Sequence, residues 1–504
     1  MRQWVCRAVV GVFALALMPL SATAPVAAAD AVPRFEATTC PFRLAGGQVE
    51  GKTVDCGFVV VPEQRAMPDG PTIRLAVARF RSTRSDPAPD PVIFLQGGPG
   101  GATLSSGFTR RFTDLFTPTR DFIAFDQRGT GYSEPNLDCP EVREQGLRDD
   151  VRPLSIGEQQ GDEIVAELAC RDRLTGAGIN PAAYNSAESA ADINDIRAVL
   201  GYEKLNLLGI SYGTRLGLTV MRDFPGIVRS AILDSVSPLH VNSYEEYAVS
   251  FDRALNLLFA NCAADARCNA AYPTVREDFS QVYRQLNAQP VTVPVTSPST
   301  GAHYDLVIDG VRFVEFLHEL LYYPSGIARI PALIAQVKGG SQRLLRPLIE
   351  DNYFNRSSIG MGISVRCNEY VPFNSRDRAV AAEQNLLPEV RESFGVNILT
   401  NFTLCPQWPT KQPDPRDHQP VASDIPTLVM ESANDPVTPP AFGQSTAQTL
   451  VNSVYIESPG IGHSVIANGG SCATTIIRSF VNDPATKPVT ACVAALGIAY
   501  VTTP

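Results

Sequence analysis

Ser211 stands at the centre of residues 209–213, a Gly-Ile-Ser-Tyr-Gly stretch with a glycine two positions away on each side. An apolar run at 205–208 precedes this stretch, and the amphipathic pattern of a helix follows it at 214–224. A sharp turn from a strand into a helix needs small neighbours, and it lifts a serine hydroxyl above the sheet as a nucleophile. An ordinary serine in a tight turn is the alternative interpretation. The strand before and the helix after favour Ser211 as a nucleophile.

A serine hydroxyl becomes reactive when a base takes its proton and a third group orients that base. Where the serine occupies a strand–turn–helix unit, the order along the chain is serine, acid, histidine. Four of the five histidines lie before the last apolar runs: His240, His303, His318 and His418. His463 follows the late apolar run at 454–456, in a loop that contains glycine at 460 and 462. This order predicts His463 as the general base.

Two aspartates compete to orient His463. Asp435 follows the apolar run at 426–430, directly before the run that leads to His463, whereas Asp234 ends the run after Ser211. Either position can serve a histidine in this architecture, and Asp435 is the favoured one. For Asp234 the alternative role is a hydrogen bond to the backbone of its own turn.

A carbonyl under attack develops negative charge, so hydrogen-bond donors must be placed in advance. One donor should be the amide of Tyr212, directly after the nucleophile. The other should be the amide of Gly98 in the Gly97–Gly98 turn, where no side chain blocks the backbone. A plain glycine turn is the alternative. The spacing of a dinucleotide-binding loop, Gly-x-Gly-x-x-Gly, is absent from residues 96–101.

The elements that must position these residues alternate between strand and helix. Short apolar runs that end in glycine-rich or polar turns occur at 91–95, 122–125, 205–208 and 230–233. This alternation predicts an α/β fold with a mostly parallel central sheet covered by helices on both faces. Between 238 and 420 it gives way to helical segments and long polar loops, and it resumes at 426–430. We expect a core at 30–237 and 421–504, with a mainly helical cap inserted at 238–420.

The first residues have the pattern of a leader. Arg2 and Arg7 precede an apolar run, and small residues end at Ala29. This pattern predicts a signal peptide over residues 1–29 and a secreted or periplasmic protein. A membrane anchor is the alternative, but the apolar run at 8–20 is shorter than the about 20 residues that a spanning helix needs.

All cysteines except Cys6 follow the predicted leader, and their number there is even. An even count in an exported chain suggests disulfides. Pairing in sequence order would join 40–56, 139–170, 262–268, 367–405 and 472–492. A metal site is the alternative, but the chain has no Cys-x-x-Cys and its histidines lack ligand spacing, so we expect neither a metal nor a cofactor.

Charge and composition limit the partners. The 504 residues carry 42 Lys and Arg against 52 Asp and Glu, a net charge of −10. Such a balance argues against nucleic acid as the main partner, since phosphate neutralisation needs a basic face. It also argues against electrostatic docking on anionic lipid. With 44% hydrophobic and 19% charged residues, the chain fits a globular enzyme, and we expect no stable membrane anchor.

Five motifs, in this order, resemble the secreted tripeptidyl aminopeptidase and prolyl aminopeptidase group of α/β-hydrolases. They are Gly-Gly-Pro-Gly at 97–100, Asp-Gln-Arg-Gly-Thr-Gly-Tyr-Ser at 126–133, Gly-Ile-Ser-Tyr-Gly-Thr at 209–214, Asp-Pro-Val-Thr-Pro at 435–439 and Gly-His at 462–463. The resemblance spans about residues 40–495. It implies an α/β-hydrolase fold and a serine exopeptidase that acts on free peptide N-termini, with a mainly structural role for residues 126–133.

The chain departs from this group at two places. Gln96 stands where many relatives have histidine, and Asp-Ser-Val-Ser at 234–237 replaces the commoner Asp-Gly-Val. The resemblance also implies a cap carboxylate that holds the α-ammonium of the substrate. Glu369, beside Cys367 of an expected disulfide, is the candidate, ahead of Glu245 and Glu246. A solvated surface glutamate is the alternative for Glu369.

Together these features predict an exported serine aminopeptidase that releases short peptides or single residues through an acyl-enzyme on Ser211. A carboxylesterase with the same triad is the runner-up, because the acyl chemistry is shared and the cap sets the substrate. A binding protein without activity is a third interpretation. The complete set of Ser211, Asp435 and His463 speaks against the third interpretation.

Overall fold

The computed structural model describes residues 32–502, apart from 298–299, 353–356 and 396. The expected signal peptide, residues 1–29, lies outside the described residues. The strands are β1 (Arg34–Ala37), β2 (Val54–Pro62), β3 (Thr72–Phe80), β4 (Ala88–Leu95), β5 (Arg120–Phe125), β6 (Leu205–Ile210), β7 (Val228–Asp234), β8 (Val291–Thr296), β9 (His303–Ile308), β10 (Thr427–Ser432) and β11 (Ser453–Ser458).

The helices before β10 are α1 (Phe108–Phe116), α2 (Pro140–Asp149), α3 (Ile156–Gly176), α4 (Ser186–Val199), α5 (Tyr212–Asp223), α6 (Ser243–Ala264), α7 (Ala266–Ala271), α8 (Val275–Ala288), α9 (Gly310–Leu320), α10 (Pro324–Lys338), α11 (Leu345–Asn352), α12 (Ile359–Val365), α13 (Arg376–Ala382), α14 (Pro388–Phe394) and α15 (Asn397–Leu404). After β10 come α16 (Pro440–Ala447), α17 (Val465–Asn468) and α18 (Gly470–Asn482).

Nine strands form one sheet in the order β1-β2-β3-β5-β4-β6-β7-β10-β11. The β1–β2, β2–β3 and β3–β5 pairs are antiparallel, and every pair from β5 to β11 is parallel. The α/β fold with a mostly parallel sheet is therefore confirmed. Because parallel strands end at one edge of a sheet, β4, β6, β7, β10 and β11 bring the predicted motifs to the same edge.

Alternate residues of the central strands pack on opposite faces of this sheet. Val92 and Phe94 of β4 join a buried cluster with helices α1 and α18. Ile93 and Leu95, one position along, join a second cluster with helices α4 and α5. Since each fully buried large apolar side chain contributes about 1.5–3 kcal/mol, two such layers hold the strand ends rigidly enough to carry a site.

The chain between β7 and β10 builds its own apolar cluster, mainly from α6, α8, α9 and α10. The sequence predicts helices and loops here, and the structure adds the antiparallel hairpin β8–β9. Val293 and Val295 of β8 are buried in the cluster, so alternation of β-branched residues explains the strand. The division into a core and a cap at 238–420 stays a prediction.

Five disulfides join the cysteine pairs expected from their order in the sequence: Cys40–Cys56, Cys139–Cys170, Cys262–Cys268, Cys367–Cys405 and Cys472–Cys492. Disulfides of this number are typical of proteins from oxidising compartments. Among the described residues, none of the helices combines the length and the apolar character that crossing a membrane would require.

Candidate active site

Ser211 lies in the sharp turn between β6 and α5. Its backbone has φ +57° and ψ −127°, a conformation that non-glycine residues rarely adopt outside functional sites. A Cβ on Gly209 would come within 2.5 Å of the Gly213 carbonyl oxygen, and one on Gly213 would overlap the Leu95 carbonyl. The glycine spacing thus reflects backbone segments that approach too closely for side chains. The Ser211 residue also lines a cavity.

Asp435 and His463 form a hydrogen-bonded pair in the loops after β10 and β11. Nδ1 of His463 lies 2.8 Å from Oδ2 of Asp435. The Asp435 side chain is fully buried, and that of His463 is 9% exposed. The amides of Val437 and Thr438 donate to Oδ1 of Asp435 at 2.9 Å, and the Thr438 hydroxyl donates to Oδ2 at 2.7 Å. A carboxylate held in this way orients an imidazole and leaves its Nε2 for proton transfer.

Burial and charge act against each other at this pair. Burial lowers the pKa of His463, but the Asp435 carboxylate, assisted by Asp234 and Glu319, raises that pKa above its ordinary value. Burial raises the pKa of Asp435, but His463 and the amides of the loop bring it below the usual range. Asp435 therefore stays ionised over the pH range in which His463 loses its proton, as a general base requires.

Asp234 binds the loop that follows His463, not the imidazole. Its carboxylate accepts hydrogen bonds at 2.8 Å from the Ser464 hydroxyl and from the amides of Val465 and Ile466. Burial raises the pKa of Asp234 to about 6, although these hydrogen bonds oppose the rise. The carboxylate thus anchors the neighbouring His463 loop instead of its own turn.

Gly98 and Tyr212, the predicted oxyanion donors, both line the cavity with Ser211. Tyr212 is the first residue of α5, where an amide has no acceptor within its own helix. A Cβ on Gly97 would lie 2.9 Å from Cβ of Ser211, so this turn packs directly against Ser211. Gly98 has φ +120°, a backbone conformation that favours glycine. Both residues therefore border the same cavity as Ser211, and their role as oxyanion donors stays a prediction.

Asp126 and Gln127 begin the motif at 126–133, directly after β5, and their side chains bind neighbouring loops. The buried Asp126 carboxylate accepts hydrogen bonds from the amides of Leu104 at 2.9 Å and Tyr132 at 2.8 Å. Nε2 of Gln127 donates to the carbonyl of Gln96 at 2.8 Å. These contacts are structural, and the one made by Gln127 holds the backbone at the start of the glycine turn.

A cavity of about 660 Å³ contains Ser211 in its wall. This volume falls within the about 300–1,000 Å³ of small-ligand sites. The charged residues that line the cavity are Asp150, Glu163, Arg312, Glu315, Glu319 and Arg366. Asp150 and Arg312 pair with each other at 2.6 Å. Of the remaining charges three are carboxylates and one is a guanidinium, so the lining favours a cationic group.

Glu369 is absent from the cavity lining, and its contacts contradict the predicted role. The residue is buried, and its Oε2 accepts hydrogen bonds from Nε of Arg215 at 2.9 Å and from the Ser186 hydroxyl at 2.7 Å. Oε1 accepts the Ser186 amide. A carboxylate that is buried, ion-paired and outside the cavity lining is poorly placed to bind a substrate ammonium, so we assign Glu369 to anchoring α5. Glu245 is likewise paired with Arg378.

Sequence reasoning missed Thr438, Glu315 and Glu319. Thr438 follows Asp435 by three positions, a spacing at which hydroxyl and carboxylate commonly meet, so a signal was present. Glu315 and Glu319 lie four residues apart on α9 and therefore share a face of the helix. Nothing in that spacing showed that the face borders the cavity.

Two family models match the chain. Residues 90–292 match the one described as alpha/beta hydrolase fold, and residues 391–492 match the one described as TAP-like protein. The first covers β4 and the Ser211 turn, and the second covers the loops of Asp435 and His463.

Curated relatives extend over most of the chain. Serine protease Hip1 of Mycobacterium tuberculosis (strain ATCC 25618 / H37Rv) is 26% identical over 469 residues, which are 86% of each chain. Tripeptidyl aminopeptidase of Streptomyces lividans is 28% identical over 412 residues, 77% of this chain and 74% of the relative. Carboxylesterase B of Mycobacterium tuberculosis (strain CDC 1551 / Oshkosh) is 25% identical over 462 residues, 87% and 86% of the two chains.

The sheet order, the two family models and these relatives agree on one assignment, and they confirm the resemblance seen in the sequence motifs. The chain is a serine hydrolase of the α/β-hydrolase fold, and it is similar over most of its length to tripeptidyl aminopeptidase and Hip1.

Proposed function

We propose that the protein is an exported serine aminopeptidase that releases short peptides or single residues from free peptide N-termini. The observation that carries this proposal is an acidic cavity with Ser211 in its wall. An ammonium group is the cationic feature common to all peptides with a free N-terminus, and a carboxylate-rich lining suits it. The names of the relatives Hip1 and tripeptidyl aminopeptidase add support.

In the proposed reaction the Ser211 hydroxyl attacks the scissile carbonyl and passes its proton to Nε2 of His463. Asp435 holds Nδ1 of the imidazole and stabilises the imidazolium that forms. The amides of Gly98 and Tyr212 donate to the developing oxyanion. His463 then protonates the leaving amine, and a water molecule, activated by the same imidazole, hydrolyses the acyl-enzyme on Ser211.

Glu319 is the carboxylate that we propose for the substrate ammonium, with Glu315 one helical turn away. Its side chain is 52% exposed and borders the cavity. Its negative charge is one of the causes that raise the pKa of His463, which supports a place for Glu319 near that imidazole. A short acyl portion bound to Ser211 would bring its N-terminus into this region.

The proposal also includes export of the protein and a cap formed by residues 238–420. The leader pattern at 1–29 and the five disulfides support a secreted or periplasmic location. Residues 238–420 would act as the cap, since they contribute Glu315 and Glu319 to the cavity that contains Ser211.

The test uses a fluorophosphonate probe together with a panel of free peptides, their N-acetylated forms and short acyl esters. We expect wild-type protein to be labelled at Ser211 and to cleave free peptides far better than acetylated ones. Ser211→Ala and His463→Ala should each lose about 10⁴-fold or more in turnover. Retention of most activity by purified His463→Ala would contradict the assignment of the base.

Glu319→Gln isolates the recognition step. It should lower kcat/KM for free peptides by up to about fivefold, since an ion pair made by a half-exposed carboxylate contributes about 0.2–1 kcal/mol, and it should spare ester hydrolysis at pH values above the acid limb of the profile. Glu144→Gln, an exposed glutamate of α2, is the matched control. Efficient ester cleavage without preference for free N-termini would instead favour a carboxylesterase, the activity in the name of one relative.

A further inference from the structure

The imidazole of His463 contacts an aromatic side chain from the chain between β7 and β10. Tyr322, in the turn between α9 and α10, packs against it with ring centroids 4.9 Å apart and ring planes inclined at 61°. Asp435 comes from a different part of the fold, the loop after β10. The His463 imidazole is therefore held by the Asp435 carboxylate at Nδ1 and by ring packing against Tyr322.

The backbone of the turn that contains Tyr322 also lies against the backbone of the loop that contains His463. A Cβ on Gly462 would overlap the Leu321 carbonyl, so a residue larger than glycine would push the His463 loop away from Tyr322. Nδ2 of Asn468 donates to the carbonyl of His463 at 2.7 Å and to that of Tyr322 at 3.4 Å. The glycine and the asparagine hold the two loops together.

Tyr322 is itself supported by buried rings. Its centroid lies 5.5 Å from that of His318, which is 2% exposed. The His318 ring packs in turn against Phe251 and Phe394, each with centroids 5.2 Å away. Because this aromatic cluster belongs to the apolar core of α6, α9 and α14, the Tyr322 ring has little freedom to move.

One hydrogen bond at Nδ1 fixes the position of an imidazole atom but leaves the ring free to pivot about it. The Tyr322 ring, packed against the imidazole, removes that freedom, because aromatic pairs prefer a defined geometry. A base displaced by about 1 Å can reduce turnover by about 10²-fold. We propose that Tyr322 is a positioning residue that keeps Nε2 of His463 aimed at Ser211, an inference that rests on the proposed function.

The test compares Tyr322→Leu and Tyr322→Phe with Tyr323→Leu, a neighbouring tyrosine that is 44% exposed and outside the cavity lining. The measurements are the rate constant for phosphonylation of Ser211, kcat and KM for a peptide, and the low-field Nδ1–H proton resonance of His463. Tyr322→Leu should lower the phosphonylation rate and kcat by about tenfold or more, with KM within about twofold. Tyr322→Phe and Tyr323→Leu should remain within about twofold of wild type.

Wild-type rates in Tyr322→Leu would overturn the proposal. So would an equal loss in Tyr322→Phe, which keeps the ring, or in Tyr323→Leu, which would show a general defect of the turn. A wild-type protein that resists labelling would refute the proposed function separately. In that case the Nδ1–H resonance of His463 would still test the positioning role of Tyr322. Loss of the resonance in Tyr322→Leu alone would support the role. Retention of the resonance in both Tyr322→Leu and Tyr322→Phe would refute it.

Discussion

At the scale of single residues, the hydroxyl of Thr438 contacts both members of the Asp435–His463 pair. It donates to Oδ2 of Asp435 at 2.7 Å and lies 3.3 Å from Nδ1 of His463. The same carboxylate oxygen that holds the imidazole thus receives a second donor. This arrangement favours the ionised form of Asp435, because hydrogen bonds to a carboxylate stabilise its charge.

Thr438→Val removes this donor while keeping the shape of the side chain. We expect kcat to fall roughly tenfold, since a hydrogen bond to a charged group contributes about 1.5–3 kcal/mol. Steady-state kinetics on an ester would measure the change. Thr446→Val, which removes a buried hydroxyl bonded to the Phe442 carbonyl on α16, should leave kcat unchanged. Equal losses in both variants would argue against a specific role for Thr438.

Glu369→Gln tests the reassignment of that carboxylate to a structural role. Removing one charge from the buried Arg215–Glu369 pair should lower the free energy of unfolding by about 3–5 kcal/mol. Activity at a temperature where the variant is folded should fall by the same factor for free peptides and for esters. Urea unfolding and kinetics on both substrates measure these effects. A loss confined to free peptides would restore Glu369 as the ammonium site.

At the scale of elements, helix α9 presents two glutamates to the cavity that Ser211 lines. Glu315 and Glu319 both border the cavity, while Phe313, Val314 and Leu317 bury the opposite side of the helix in the apolar cluster. Because an α-helix has 3.6 residues per turn, one face of α9 packs in the apolar cluster while the opposite face places two negative charges at the cavity. The turn that follows it supplies Tyr322.

Glu319→Gln should move the acid limb of the pH profile of kcat/KM to lower pH. The charge of Glu319 favours the protonated imidazole, so its removal lowers the pKa of His463, and the neutral base becomes available earlier as pH rises. A neutral ester as substrate separates this effect from ammonium binding. The limb should stay in place for Glu144→Gln. An unchanged or upward-shifted limb in Glu319→Gln would count against this coupling.

At the scale of the whole molecule, the last described residues connect the sheet to the helical segment. Val493 and Leu496 pack on the sheet cluster, whereas Tyr500 is buried in the cluster of α6, α8, α9 and α10. The amide of Val501 donates to the Ala328 carbonyl at 2.9 Å. Because residues of the sheet region and of the helical segment both line the cavity, this connection helps to hold Glu319 and Ser211 in a fixed relative position.

Tyr500→Ala should lower the free energy of unfolding by about 3 kcal/mol, since truncating a buried aromatic side chain leaves a cavity. Thermal unfolding followed by circular dichroism would report the change as a lower midpoint. Val489→Ala, which truncates an 81% exposed residue of the same tail, should stay within about 0.5 kcal/mol of wild type. Similar midpoints for the two variants would show that the Tyr500 contact contributes little.

The strands that lead to the site, the turn at Ser211 and the disulfide pairs could be predicted from the sequence alone. The apolar runs before Gly97, Ser211 and Asp435 predicted strands that the sheet contains, because short buried strands of a parallel sheet are apolar on both faces. The glycines at 209 and 213 predicted the turn at Ser211, since backbone contacts there exclude side chains. The order of the cysteines predicted the five pairs, as each closes a local loop.

Only the tertiary structure decided which glutamates border the cavity. Glu369 meets Arg215 from a position 154 residues away, and the buried pair neutralises the carboxylate that the sequence favoured. Glu319 and Tyr322 reach the region of His463 because α9 packs across a chain separation of more than a hundred residues. Sequence patterns such as glycine spacing and the periodicity of apolar residues reflect contacts within a few positions of the chain. Charge pairing and burial depend on contacts between residues far apart in the sequence, and these contacts form only when the chain folds.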